Sequence, residues 1–266
     1  MPDAAELTSV AGRRTISLEE VLACAPATTR VDRKYVVPRA IAEELVTSLP
    51  PSLRVLAIGG RLSTAYRSTY FDTPDLMTCR AHIQQRRRRW KARSRLYVED
   101  GLCRLELKVR DGSGLTRKYF HPTSTRAQGH LDQTSAAFFQ GLLLDLGLPP
   151  APALEASADI GYRRTTLADV DTGARVTVDL GLTGTRHRRT MSLDAGCAIV
   201  ETKGGQTPGA ADRLLMGLGA RPVSFSKYAA TVSLLDSRIP DNDVRHLVGH
   251  TLHLDTTPHH DLRRSA

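Results

Sequence analysis

The sequence predicts an α+β fold in which an antiparallel β-barrel, closed or nearly closed, has a polar interior and carries its helices outside. Three observations predict it. Several segments alternate strictly between charged and apolar residues, the period of a β-strand. The charged faces of those strands are mostly basic. Three further segments carry apolar stripes at helical spacing, and these stripes must pack on something.

The chain in order justifies each element. Residues 1–14 are polar and aperiodic and read as a flexible leader. Ser17 caps a short helix through Leu22. Arg30 to Val37 reads as a strand, with Arg30, Asp32 and Lys34 on one face and Val31, Tyr35 and Val37 on the other; Arg33 is the exception. Pro38 opens an amphipathic helix over 39–49, which Pro50-Pro51 stops. Ala65 to Phe71 is a strand, and Asp72 to Asp75 a turn. The run Arg86 to Arg89 fits a solvated face as well as a site. After it Lys91, Arg93, Arg95 and Tyr97 alternate with Trp90, Ala92, Ser94 and Leu96. Glu99-Asp100-Gly101 turns the chain into Cys103 to Arg110. There Leu105, Leu107 and Val109 face one way and Arg104, Glu106, Lys108 and Arg110 the other. A second turn at Asp111 to Gly114 leads to Thr116–Phe120.

Asp132 caps a helix with Ala136, Phe139, Leu142, Leu143 and Leu146 as its stripe, ended by Gly147. Strands follow at Ile160 to Leu167, Arg175 to Leu180 and Ala198 to Lys203, the last placing Glu201 and Lys203 on one face. Arg186 to Arg189 reads as a basic loop. Thr207-Pro208 begins a helix with Leu214, Leu215 and Leu218 inside and Gly219 at its end. From about residue 240 the pattern dissolves into a polar, histidine-rich tail (His246, His250, His253, His259, His260), which reads as disordered. The organisation is therefore a leader, one domain over 15–239, and a tail over 240–266.

Composition narrows the function. At 41% hydrophobic the 266 residues bury a real core, and a net charge of +9 calls for an anionic partner. The four cysteines form no CxxC pair or zinc spacing, so a reducing, cytoplasmic setting is expected. No apolar run is long enough for a membrane span, and the N-terminus has no secretory core. Nucleic acid is disfavoured: aromatics are 5%, and the basic side chains would face inward.

The inward direction follows from electrostatics. The polar strand faces carry ten basic groups, Arg30, Lys34, Lys91, Arg93, Arg95, Arg104, Lys108, Arg110, Arg175 and Lys203, against Asp32, Glu106, Asp179 and Glu201. Such faces repel one another unless an anion lies between them. The consistent solution puts the apolar faces outward under the helices and the charged faces inside a hydrated barrel. Arginine forks and lysine point charges suit successive phosphates. Carboxylates among them make sense if they hold a divalent cation that bridges phosphate oxygens. No Walker motif is present, since Gly112-Ser113-Gly114 lacks the following GK[ST].

These residues resemble the VTC-type polyphosphate polymerase domain of the triphosphate tunnel metalloenzyme (CYTH-like) superfamily. The matching pieces run in family order: Arg30 to Tyr35, Tyr70-Phe71-Asp72-Thr73, Lys91/Arg93/Arg95, Leu105 to Lys108, Tyr162 to Thr165, Arg175 to Asp179, Glu201-Thr202-Lys203 and Ser226-Lys227-Tyr228. The resemblance implies an eight-stranded tunnel that binds ATP and polyphosphate with Mn2+ or Mg2+ and transfers the γ-phosphate to a growing chain. It implies Lys34, Arg93, Arg95, Lys108, Arg164, Arg175 and Lys227 as phosphate ligands, to which the basic faces add Lys91 and Lys203. Glu201 is implied as the metal carboxylate with Glu106 assisting; Asp32 and Asp179 are metal ligands or structural partners. Two alternatives stand: a triphosphatase on the same tunnel, and a non-catalytic binder of polyphosphate or inositol phosphates. The superfamily's first strand often has paired glutamates before its lysine; here Asp32 stands there alone, with Arg30 in the other place.

Overall fold

The computed structural model describes residues 6–23, 31–151 and 153–255. Arg30, Cys24, His259 and His260 lie outside the described residues. Strands β1 (Thr15–Ile16), β2 (Val31–Pro38), β3 (Arg54–Leu56) and β4 (Ser63–Asp72) are interleaved with helices α1 (Leu18–Ala23) and α2 (Arg39–Ser48). Helix α3 (Met77–Ile83) precedes β5 (Arg89–Tyr97), β6 (Leu102–Arg110) and β7 (Thr116–Thr123). Then come α4 (Gln133–Asp145), β8 (Glu155–Ala168), β9 (Arg175–Arg186), β10 (Arg189–Leu193) and β11 (Cys197–Gly204). Helices α5 (Ala210–Gly217) and α6 (Lys227–Leu235) and strand β12 (Leu252–Asp255) complete the order.

One large sheet organises the chain. Its eight central strands run β2-β11-β9-β8-β4-β5-β6-β7, each antiparallel to its neighbours. On the β11 edge of β9, strands β10 and β12 continue the sheet, and β3 pairs with β8 and, in parallel, with β1.

The apolar faces pack outward as the alternation requires. Leu105, Leu107 and Val109 of β6 join Trp90, Ala92 and Phe71 beneath Phe139 and Leu143 of α4. On the far side Tyr35, Val37, Val176, Val178 and Val200 pack under α2 and α5. Each fully buried side chain of this size contributes about 1.5–3 kcal/mol. The expected caps are in place. Asp132 accepts from the Ser135 amide at 2.8 Å, and Ser17 and Glu20 exchange side-chain-to-amide bonds at 3.2 and 2.8 Å. Arg33, the exception in its strand, lies on the outer face, where it pairs with Asp212 of α5.

Four expectations need correction. First, the sheet is not closed: among the described residues no ladder joins β7 to β2. Edge strand β7 carries Arg117, Lys118 and Pro122, residue types that blunt further pairing. A side-chain contact spans the two sides, Lys108 Nζ lying 3.7 Å from Asp32 Oδ2.

Second, the helices are not all outside. Helix α6, buried from Tyr228 to Leu235, lies on the concave face, with Tyr228 stacked on Tyr70 at 4.6 Å. Ser226 caps it, a cap the sequence reading passed over. Gly184 admits it: a Cβ there would overlap the Thr231 side chain.

Third, the leader and the tail take part in the fold. Leu7 and Val10 are core residues, and the Arg13 guanidinium donates to the carbonyls of Val46, Leu49, Pro50 and Leu53 at the end of α2. As far as the tail is described, β12 pairs with β10 and Leu252 is fully buried. His253 pairs with Asp194 at 2.8 Å.

Fourth, Arg186 to Arg189 is a hairpin turn, not a loop. His187 and Arg188 take positive φ, while Arg186 is buried against Asp236 and the Ser157 carbonyl. Among the described residues no helix is long and apolar enough to cross a membrane. Cys79, Cys103 and Cys197 are free thiols.

Candidate functional site: a cationic concave face

Register decides which side chains share the concave face, because residues directly opposite in a ladder point the same way. Across β5 and β6 the opposed pairs are Arg95/Arg104, Arg93/Glu106, Lys91/Lys108 and Arg89/Arg110. Tyr70 lies opposite Arg93, Ser68 opposite Arg95, and Tyr66 opposite both Tyr97 and Tyr162. Arg164 is opposite Asp179, Lys34 opposite Glu201, and Asp32 opposite Lys203. Helix α6 adds Lys227 at its first position.

Three buried carboxylates hold this array in place. Asp179, fully buried, accepts both arms of Arg164 at 2.6 and 2.7 Å and Lys227 Nζ at 2.6 Å. Burial alone would raise its pKa, but the two cations and their hydrogen bonds bring it down to about 2. Glu106, 2% exposed, accepts from Arg93 at 2.7 Å on one oxygen and has Lys118 Nζ 2.5 Å from the other. Burial again opposes ionisation; Arg93, Arg95 and Lys118 outweigh it and hold the carboxyl well below its usual range. Glu201 has Lys203 Nζ at 3.0 Å and Arg164 Nη2 at 3.9 Å. Its burial is likewise outweighed, by Lys203, Lys34 and Arg164.

The remaining cations are less compensated. Lys91 donates to Ser226 Oγ at 2.8 Å and has no carboxylate in ion-pair range among the described residues. Burial, then Lys108, Lys34 and Arg89, pulls its pKa well down. Burial, then Lys91, Arg89, Lys34 and Lys108, lowers His82 to about 3. Arg95 donates to Tyr162 at 2.8 Å and lies over the Tyr66 ring at 5.0 Å. Arg104 is held between Phe120 and Tyr97, at 4.8 and 5.6 Å. Arg175, at the start of β9, reaches the Val21 carbonyl of α1 at 3.3 Å, at the end of the face.

The concave face therefore brings together Lys34, Lys91, Arg93, Arg95, Lys108, Arg164, Lys203 and Lys227, with Asp32, Glu106, Asp179 and Glu201 among them. Three contributors were not singled out in the sequence. Lys118 carried a signal, since Thr116, Lys118 and Phe120 alternate like the other strands. Tyr66, its ring stacked 5.3 Å from that of Tyr162 beneath Arg95 and Arg164, and His82 at the end of α3 carried none. Tyr35 and Tyr228 are packing residues that donate to the buried Asp212 and Asp72, whereas Tyr70 accepts from Arg93 at 2.7 Å.

Among the described residues no three His, Cys, Asp or Glu side chains gather as a metal site. At Glu106, Arg93 holds Oε2 and Lys118 Nζ lies beside Oε1, so an ion there would have to displace Lys118. Glu201 could offer oxygen to an ion whose other ligands are phosphate oxygens and water, as Mg2+ commonly has. The donor set fits a cation that arrives with a phosphate chain, not one bound by protein alone.

Comparison with known proteins places the chain. Among curated proteins there is no match. Among solved structures, a Bacillus halodurans protein provisionally assigned as an adenylate cyclase is 14% identical, with a TM-score of 0.47 over 79% of this chain and 100% of its own. A Hippeastrum protein, provisionally assigned as an adenylyl cyclase and described as having a dominant triphosphatase activity, is 15% identical, with a TM-score of 0.45 over 77% of this chain and 95% of its own. A Pyrococcus horikoshii protein is 13% identical, with a TM-score of 0.43 over 77% of this chain and 96% of its own. The model of the VTC domain matches residues 29–236, from the start of β2 through α6, and the chain belongs to that family.

Proposed function

We propose that the concave face binds the phosphate chain of ATP and of polyphosphate and transfers the ATP γ-phosphoryl group to the growing chain. One observation carries this reading: cations that far outnumber carboxylates converge on one face, and Lys34, Lys91 and Lys227 stand there with Arg93 and Arg164 already fixed by buried acids. Preorganised positive charge is most of what phosphoryl transfer asks of a protein.

In the proposed step a terminal oxygen of the polyphosphate attacks the γ-phosphorus of ATP. A new P–O–P bond forms, the bond from the γ-phosphorus to the bridging oxygen breaks, and ADP leaves. The attacking oxygen is already anionic, so no general base is needed. Arg164 and Lys227, clamped by Asp179, and Arg93, clamped by Glu106, orient the chain and stabilise charge on the phosphoryl oxygens. Mn2+ or Mg2+, when bound, would neutralise part of that charge, with Glu201 as its protein ligand.

The open side between β7 and β2 favours one second reading, a triphosphatase, because water can enter there. Incubation of purified protein with Mn2+ and either ATP or tripolyphosphate tests both. The proposal expects polyphosphate and ADP in equal phosphate equivalents. Free phosphate from tripolyphosphate without chain growth replaces it with the hydrolase; tight binding without turnover leaves a binding module for polyphosphate or inositol phosphates.

A further inference from the structure

The charged rows of β5 and β6 do not stop at the residues assigned above. Beyond Arg93/Glu106 and Lys91/Lys108 lies a further opposed pair, Arg89/Arg110, at the strand ends. Alternate residues of a strand are about 6.6–6.8 Å apart, so the cationic track runs roughly 13 Å past the Arg93 row. Only the Arg93 row has an acid opposite. Like charges set directly opposite are destabilising, and here two such pairs follow one another.

At its outer end the track opens into a cleft of about 450 Å³ lined by Arg87, Arg89, Arg110, Gly112, Ser113 and Gly114 among others. None of these arginines has a carboxylate in ion-pair range among the described residues. Arg89 donates to the Arg86 carbonyl at 2.6 Å, which fixes its guanidinium at the cleft. The nearby acid, Asp111, turns one oxygen into its own turn: Oδ1 accepts from the Ser113 and Leu115 amides and from the Ser113 hydroxyl, and the carboxylate lies outside ion-pair range of the cleft arginines. Gly112 and Gly114 line the cleft with backbone, Gly114 at a positive φ of 89°. A solvated arginine run explains exposure; it does not explain opposed pairs continuous with the concave face.

We propose that this cleft is a second anion site, a track for the part of an inorganic polyphosphate chain that extends beyond the triphosphate-sized site on the concave face. The proposal rests on the phosphate-binding reading of that face. It distinguishes a long chain from ATP or tripolyphosphate, which occupy the inner site alone.

The test compares ligands on intact protein. Wild type and an Arg87→Ala/Arg110→Ala double variant are titrated calorimetrically with tripolyphosphate, with a polyphosphate of several dozen phosphates, and with a single-stranded oligonucleotide of similar charge. The variant is expected to lose about tenfold in affinity for long polyphosphate, with a shallower salt dependence, and to stay within about twofold for tripolyphosphate. Equal loss for both phosphates, no loss for either, or an equal loss for the oligonucleotide overturns the track. Wild type that binds neither phosphate ligand refutes the underlying reading instead. An Arg87→Lys/Arg110→Lys variant that retains long-chain affinity supports a site built on charge; unchanged melting of the alanine variant shows that it is folded.

Discussion

Replacing Asp179 by asparagine removes one charge and changes almost no volume, yet three short charge-assisted bonds end on that carboxylate. The amide keeps one acceptor oxygen and turns an NH2 group toward Arg164 or Lys227. Two buried cations then lie without their shared anion, near Glu201 and Lys203. Breaking a buried pair on one side costs about 3–5 kcal/mol, and an isosteric amide belongs at the low end, about 3 kcal/mol. For a domain of this size that corresponds to a fall in Tm of about 6–12 °C. The assay is thermal unfolding near neutral pH, with Asp145→Asn, an exposed position on α4, as the control. The sign with pH follows from the depressed pKa. Asp179 adds stability above its unfolded value of about 3.9, and that contribution disappears as pH falls toward about 2. Wild type and variant should therefore converge in acid. A Tm within about 2 °C of wild type at neutral pH would refute the assignment of Asp179 as the clamp.

Other consequences can be checked in parallel. Gly184→Ala forces a methyl group into Thr231 and should lower stability by about 1–3 kcal/mol, with partial recovery in the Gly184→Ala/Thr231→Ala double variant; an undisturbed melt means that α6 does not seat against β9 as described. His82, lowered to about 3 by burial and neighbouring cations, stays neutral in the fold while the unfolded chain takes a proton below about 6.5. Wild-type stability should fall between these values more steeply than that of His82→Asn, and parallel pH profiles would argue against it. Lys91, whose pKa burial and then Lys108 and Lys34 pull down, should have it raised again when a phosphate chain arrives. Calorimetry across a pH series in buffers of different ionisation enthalpy should show proton uptake on binding that Lys91→Met lacks; a buffer-independent enthalpy in wild type at every pH contradicts it. Glu201→Gln should lose metal-dependent turnover and keep most of its metal-free tripolyphosphate affinity, whereas equal loss of both removes Glu201 as the metal ligand.

The strands of this protein were legible because their charge is periodic. Arg93, Arg95, Glu106 and Lys108 announce a face by alternation alone, and the ladders place them on it. The outer wall was equally plain: Leu105, Leu107 and Val109 needed a helix, and α4 covers them. Closure was not legible. Whether β7 joins β2 depends on long-range geometry, and only Pro122 and its basic neighbours hinted at an edge. Helix α6 was missed because its buried surface surrounds it; Tyr228 to Leu235 has no polar face to reveal a period. The leader was misjudged from its polarity, although Leu7, Val10 and the single side chain of Arg13 suffice to anchor it. The carboxylates show the limit most clearly. Sequence places Glu106 and Asp179 among cations, but only the fold shows that Arg93 and Lys118 sit against Glu106 and that both oxygens of Asp179 are already taken.

The most direct measurement is a crystal structure of the protein with tripolyphosphate. The account predicts the anion on the concave face, with phosphate oxygens within hydrogen-bond distance of Arg93, Arg164 and Lys227 and with Asp179 still clamped beneath. A tripolyphosphate bound only elsewhere on the surface, with the concave face holding water alone, would contradict it.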